Sequence, residues 1–168
     1  MGSWTQPTQV ARVLDDGTSQ IAQATYNAQG QPTTRTDPLG RQTTYLYAAN
    51  GIDLVETRQT SPGVTDLLGT FTNYTALHQP QTVSDAAGQT TTLTYNAFGQ
   101  VLTSTNAKSE TTTLVYDTDQ RLQSVTPMAG AVTTYTYDSD GRVRTVTQPD
   151  GYAVTTDYDA FDRPTRLT

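Results

Sequence analysis

The chain has 168 residues, of which 34% are hydrophobic and 15% charged, with a net charge of −6, one histidine and no cysteine. That balance excludes the clustered cations that nucleic-acid phosphates or an anionic membrane surface demand, and the missing thiols exclude disulfides and thiolate metal sites. The length fits one domain, but the apolar fraction is low for a thick core, and 36 residues are threonine. A thin sheet with tyrosine and threonine columns suits this composition. No apolar run approaches the ~20 residues of a membrane-spanning helix.

Met1-Gly2-Ser3-Trp4 has no signal-peptide character, and residues 1–4 read as an expression remnant. Residues 5–168 read as one repeat array. Its first piece, Arg12-Val13-Leu14-Asp15-Asp16-Gly17, resembles the second half of a repeat and feeds a strand from Ser19 to Tyr26. From there tyrosines recur at Tyr26, Tyr47, Tyr74, Tyr95, Tyr116, Tyr137 and Tyr158, in steps of 21, 27, 21, 21, 21 and 21 residues. Self-similarity at a short fixed period means stacked supersecondary units.

Aligned on the tyrosine, the units show columns. One residue on stand Asn27, Asn96, Asp117, Asp138 and Asp159, with Ala48 and Thr75 as exceptions. Four on stand Gly30, Gly51, Gly99 and Gly141, with His78, Gln120 and Asp162 as exceptions. Five on is Arg121, Arg142 or Arg163, or else Gln31, Gln79 or Gln100; nine on is Val83, Val125, Val146 or Leu167. Fourteen on comes a second glycine, at Gly40, Gly88, Gly130 and Gly151. Each unit therefore has two turns. Asp or Asn bonds its own backbone two residues on, and Gly accepts positive φ, while proline presets φ in Asp37-Pro38-Leu39-Gly40 and Gln148-Pro149-Asp150-Gly151.

Between the turns, runs such as Thr133-Thr134-Tyr135-Thr136-Tyr137 and Val143-Arg144-Thr145-Val146-Thr147 are β-branched and aromatic, and no helical period is sustained. Each unit reads as one hairpin of a continuing antiparallel sheet. Alternation puts Tyr45 with Tyr47, Leu93 with Tyr95, Leu114 with Tyr116 and Tyr135 with Tyr137 on one face, and Thr44, Thr92, Thr113 and Thr134 on the other. The 27-residue step carries six extra residues between 47 and 73. They are expected over Thr60 to Leu68 as a longer loop leaving the sheet at one edge, with Ser61-Pro62-Gly63 as its turn. The chain stops at Thr168 in mid-unit, as a fragment of a longer array would. Two unpaired sheet edges then imply self-association.

Tyr-Asp-x-x-Gly-Arg, followed by an apolar run, Pro-x-Gly and a Thr-Thr-x-Tyr strand, resembles the YD repeat of the Rhs proteins from Tyr26 to the end. That family includes bacterial Rhs polymorphic toxins, Tc-toxin shell subunits, wall-associated proteins and animal teneurins. The resemblance implies an all-β fold in which hairpins form a continuous antiparallel, curved or spiralling sheet, a part of a hollow shell. It also implies partners: the rest of the parent repeat shell and a C-terminal toxin cargo. The implied setting is a bacterial protein that is secreted, displayed at the cell surface or delivered by a secretion system.

Several motifs invite chemistry and read better as structure. Asp138-Ser139-Asp140-Gly141 and Asp117-Thr118-Asp119 start like a calcium loop, but the twelfth position is Pro149 or Met128, not the required Glu. They read as Asx turns. The arginine column reads as partner to the turn aspartates and cover for tyrosine faces rather than as an anion site. His78 stands in place of a turn glycine, and there is no second histidine or thiol to join it. Neither a Gly-x-Ser-x-Gly elbow nor a phosphate-binding Gly-rich loop occurs. Asp37-Pro38-Leu39-Gly40 matches one Asp-Pro-x-Gly motif of the self-cleaving aspartyl site found in some Rhs proteins, but without a second copy nearby it reads as a turn. Asn73-Tyr74-Thr75 is a formal glycosylation sequon.

The sequence therefore predicts a non-catalytic structural segment with no cofactor. A repeat module that binds carbohydrate or protein at a cell surface is the alternative, and a hydrolase acting on polysaccharide is the second.

Overall fold

The structure is a computed structural model that describes residues 6–168. The reading of residues 1–4 lies outside the described residues. Among the described residues all regular structure is β, and the strands are hydrogen-bonded in chain order, each antiparallel to the next. The chain divides into two compact units, residues up to Thr91 and residues 92–168. The first holds β1 (Gln9–Val13), β2 (Ser19–Tyr26), β3 (Pro32–Thr36), β4 (Gln42–Tyr47), β5 (Leu54–Ser61), β6 (Val64–Tyr74), β7 (Pro80–Asp85) and the start of β8 (Thr90–Tyr95). The second holds the remainder of β8, then β9 (Val101–Thr105), β10 (Thr111–Tyr116), β11 (Leu122–Thr126), β12 (Thr133–Tyr137), β13 (Val143–Thr147), β14 (Ala153–Tyr158) and β15 (Pro164–Leu167).

Among the described residues no apolar side chain is fully buried. Packing is two-dimensional instead. On one face Leu114 stands opposite Val125, Tyr135 opposite Val146 and Tyr137 opposite Val143. On the other, Thr113 faces Thr126, Thr134 faces Thr147 and Thr136 faces Thr145. Threonine hydroxyls bond across strands, Thr94 to Thr103 at 2.6 Å and Thr105 to Thr111 at 2.8 Å. Good cross-strand pairs contribute roughly 0.2–1 kcal/mol each. Summed along the sheet, such pairs replace part of what a core would supply.

The two turns of a repeat share one geometry. The first residue's N–H donates to the carbonyl four residues on, and the N–H three residues on donates back to its carbonyl. Asn27 with Gln31 and Gly30 shows it for the first turn, and Asp37 with Arg41 and Gly40 for the second. This is a type I turn closed by a residue of positive φ that forms a bulge. Glycine fills that place at Gly30, Gly40, Gly88, Gly99, Gly141 and Gly151, with φ between 77° and 86°. Where the column carries another residue, the backbone does not yield: His78, Ser109, Gln120 and Asp162 hold φ of 60° to 66°.

The expected loop at the insert is absent. Its residues extend the sheet: Ser61 pairs with Val64 across Pro62–Gly63, and β5 and β6 run to 8 and 11 residues. One extra residue enlarges the preceding first turn, where Ala48 N–H bonds the Asp53 carbonyl five residues on. The physical reason is alternation. Val64-Thr65-Asp66-Leu67 can pair with Gln59-Thr60-Ser61, and Pro62-Gly63, with Gly63 at φ 85°, makes a tight reversal. Further along β6, Gly69 is buried, and a β-carbon there would lie 2.9 Å from the Ser84 carbonyl oxygen of β7.

Two substitutions test this backbone account by urea denaturation. Gln120→Gly relieves left-handed strain of about 1–2 kcal/mol against an entropic cost of about 0.5–1 kcal/mol, so a small net gain is expected. Gly69→Ala forces β6 away from β7 and should lose about 1–3 kcal/mol. A gain at position 69 or a loss at position 120 would contradict it.

Candidate functional site

Most of the sequence-predicted residues gather at the first turns and at the strand ends beside them, while Gly40, Gly88, Gly130 and Gly151 lie in the second turns. Each repeat tyrosine closes a strand, and opposite every one of them but Tyr74, where the register runs on unshifted, the partner strand carries a bulge. Tyr116 pairs with Leu122 while Val115 pairs with Ser124, so β11 holds one extra residue there; Tyr137 and Val143 repeat the pattern. The next tyrosine reaches back to this spot. The hydroxyl of Tyr137 donates to the Leu122 carbonyl at 2.7 Å, that of Tyr158 to Val143 at 2.9 Å, that of Tyr116 to Val101 at 3.0 Å and that of Tyr47 to Pro32 at 2.9 Å. Tyr74 bonds the Leu54 carbonyl and Tyr26 the Pro7 carbonyl. A bulge interrupts the ladder, and the phenol serves the backbone beside it.

The turn aspartates come next. Asp138 Oδ1 accepts the N–H groups of Asp140 and Arg142 at 3.0 and 2.9 Å, and Oδ2 accepts Arg142 Nε at 2.7 Å. Asp37, Asp117 and Asp159 bind Arg41, Arg121 and Arg163 in the same way. Asn27, Asn96 and Asn106 make the two backbone bonds without the ion pair. In the unit with Ala48, Asn50 takes over as acceptor from Ile52 and Asp53.

The arginines then tie repeats together. Arg121 lies over the Tyr137 ring at 4.6 Å and Arg142 over Tyr158 at 4.8 Å, each a cation–π contact with the following repeat. Arg163 lies over Phe161 of its own turn. Arg142 also reaches Asp140 and, at 2.7 Å, Asp162. Repeats without arginine use other links. Gln100 Nε2 donates to the Gln120 carbonyl, Asn27 Nδ2 to the Gly51 carbonyl, and His78 Nδ1 lies 2.8 Å from Asp53 Oδ1. These polar links were missed from sequence, because their acceptors are mostly backbone carbonyls that carry no residue signature.

The carboxylates that resembled a calcium loop therefore face a guanidinium, not an open site. Among the described residues no three His, Asp or Glu side chains gather to hold a metal ion. Asn73 is exposed at φ 56°, its amide on Thr82 Oγ1. Among the described residues no helix is long and apolar enough to cross a membrane.

Arginine side-chain bonds hold Asp37 and Asp159 below the ordinary carboxylate value. For Asp117 and Asp138 partial desolvation pushes upward, but the backbone N–H groups and the arginine outweigh it, and both end below the ordinary value of 3.8.

This arrangement defines a class: a β-repeat protein in which turns, bulges and phenols link one hairpin to the next. The RHS Repeat profile matches residues 26–63, 74–111, 116–153 and 137–168, more than half of the chain. The chain belongs to the RHS repeat family. A crystal structure of TcdB2-TccC3 shares the fold, with 17% identity and a TM-score of 0.53 over 95% of this chain. The Photorhabdus luminescens Tc holotoxin pore matches 97% of the chain at 13% identity and a TM-score of 0.37. The chain spans only 8% and 12% of those chains. No curated protein matches it.

Tyr137→Phe removes one phenol–carbonyl bond and keeps the ring beneath Arg121. A loss of about 0.5–1.5 kcal/mol is expected in chemical denaturation, and an unchanged midpoint would sink the phenol's role. Acid tests the turns. Because the four aspartates are depressed in the folded state, their contribution is complete above the ordinary aspartate value and is lost as pH falls through the depressed ones. The melting temperature should hold steady from neutrality to about pH 4 and then drop. Asp138→Asn should flatten that drop; a melting temperature independent of pH down to strong acid would contradict the assignment.

Proposed function

We propose that residues 5–168 act as a single YD-repeat array, a non-catalytic structural segment of an Rhs-type protein whose full-length form encloses and delivers a C-terminal toxin. The observation that carries this reading is the tyrosine linkage: the hydroxyls of Tyr47, Tyr74, Tyr116, Tyr137 and Tyr158 each bond the backbone of an earlier repeat. A repeat so built is complete only beside others like it, so its chemistry is directed at extending a sheet rather than at a substrate. Tyr116, Asp117, Arg121, Tyr137, Asp138 and Arg142 are engaged with one another or with backbone, which supports a structural role for them.

The partners in this reading are the remaining repeats of the parent shell and the cargo. The edge strands β1 and β15 are exposed along their length and are paired on one side only, so they supply the surfaces for further strands or for self-association. The setting is a bacterial protein that is secreted, displayed or delivered to another cell. Family membership and the shared fold with TcdB2-TccC3 support this reading.

The test is limited proteolysis of the parent protein carrying its C-terminal domain, beside that domain alone. Enclosure predicts that the domain survives for as long as the repeats remain intact. Digestion of the attached domain as fast as the free one would overturn the casing role.

A further inference from the structure

The one Asn-Gly step in the chain sits in the first turn of the lengthened unit. Asn27, Asn73, Asn96 and Asn106 are followed by alanine or tyrosine, and only Asn50 by glycine. The turn itself departs from the repeat. It is one residue longer, closing from the Ala48 N–H to the Asp53 carbonyl, and its Asx side chain stands at the third place instead of the first. Asn50 is exposed there.

Several groups converge on the Asn50 amide. Its Oδ1 accepts the N–H groups of Ile52 and Asp53, each at 3.0 Å. Its Nδ2 donates to Asp53 Oδ2 at 2.6 Å, and the other carboxylate oxygen of Asp53 lies 2.8 Å from His78 Nδ1. Gly51, the next residue, presents a peptide nitrogen with no side chain beside it, on a backbone at φ 70°. That nitrogen donates to the Ala48 carbonyl at 2.9 Å, a bond that keeps the turn shut.

We propose that Asn50–Gly51 is a self-modification site, at which the chain converts its own asparagine to an aspartyl or isoaspartyl residue. When the Gly51–Ala48 bond opens, the Gly51 nitrogen attacks Asn50 Cγ and a new N–Cγ bond forms. The negative charge that gathers on Oδ1 meets two N–H donors already in place, as in an oxyanion hole. The Cγ–Nδ2 bond then breaks, and ammonia leaves with the proton that Gly51 gave up. The Asp53 carboxylate, bonded to the leaving nitrogen and held by His78, is placed to carry that proton, as base and then as acid. What remains is a cyclic imide. Water opens it at either carbonyl, giving aspartate or a backbone lengthened through the side chain.

The product undoes the turn. A carboxylate at position 50 faces the Asp53 carboxylate where the amide now donates, and like charges in contact repel. Asp53 supplies the link to His78 of the following repeat, and the Gly51 carbonyl accepts Asn27 Nδ2 of the preceding one at 2.7 Å. One reaction therefore loosens the links to both neighbours. The proposal goes beyond the casing role and does not depend on it.

The test incubates the whole folded chain at neutral pH in heavy-oxygen water and reads tryptic peptides by mass spectrometry. Each conversion fixes solvent oxygen in the new carboxyl group. The peptide between Arg41 and Arg58 should take up label at position 50, with isoaspartate among its products, while Asn27, Asn73, Asn96 and Asn106 stay unlabelled. Asp53→Asn keeps the shape of the turn and removes the proton carrier, so labelling should slow about tenfold or more. The parent chain unfolded in urea has neither the N–H pair nor Asp53 in place, and should label about tenfold more slowly than the folded chain. That comparison decides if Asp53→Asn does not fold. No label at position 50, equal labelling at the other asparagines, a rate unchanged in Asp53→Asn, or a rate in urea as fast as in the folded chain would each overturn the proposal.

Discussion

The hydroxyl of one repeat tyrosine bonds a carbonyl of the preceding repeat, and most of the architecture follows from that reach. The bulge opposite tyrosines such as Tyr116 and Tyr137 sets aside backbone that the ladder does not serve as elsewhere, and the next tyrosine is placed to serve it. A fixed reach demands a fixed spacing. Four of these bonds span 15 residues, and in the lengthened unit, where Tyr74 meets Leu54, the span grows to 20 because the intervening hairpin is longer. The tyrosine column is thus a geometric requirement of a sheet without a buried core.

The turns hold the strands at the angle that makes the reach possible. A side-chain oxygen at the turn's first residue accepts two backbone N–H groups, so Asp, Asn and, at Thr75, a hydroxyl all perform the same task. Only aspartate adds an ion pair to arginine, and only arginine then covers the next repeat's ring. Exposed pairs of this kind contribute little singly. Their consequence here is register: Arg142 touches Asp138, Asp140, Asp162 and Tyr158, which belong to two successive repeats. The unit with Gln100 reaches the same end through the Gln120 carbonyl, without charge.

Much of this was legible in the sequence. The tyrosine period, the Asx and glycine columns and the alternation of Thr134 with Tyr135 and Tyr137 give strands, turns and faces directly, because each rests on local backbone preferences. What escaped was what depends on pairing across strands. The insert reads as a loop by composition, since Ser61-Pro62-Gly63 is a turn signal among polar residues, yet its flanks alternate well enough to pair. Gly69 looks like any strand glycine, and its necessity lies in the Ser84 carbonyl of the next strand. Gln120 and His78 break the glycine column, and nothing in the letters says that the left-handed backbone persists beneath them. The arginine contacts were foreseen in kind, but not that Arg142 would bridge two repeats.

The central claim is that the turns are as firmly bonded as the strands, because their N–H groups are held by side-chain oxygens rather than by water. Native-state hydrogen exchange tests it directly in residues 92–168. The amides of Phe98, Gln100, Asp119, Arg121, Asp140 and Arg142, all bound to a turn Asn or Asp, should exchange as slowly as those of the adjoining strands. Exchange of these amides at the rate of an open loop, with protection confined to the strands, would contradict the account.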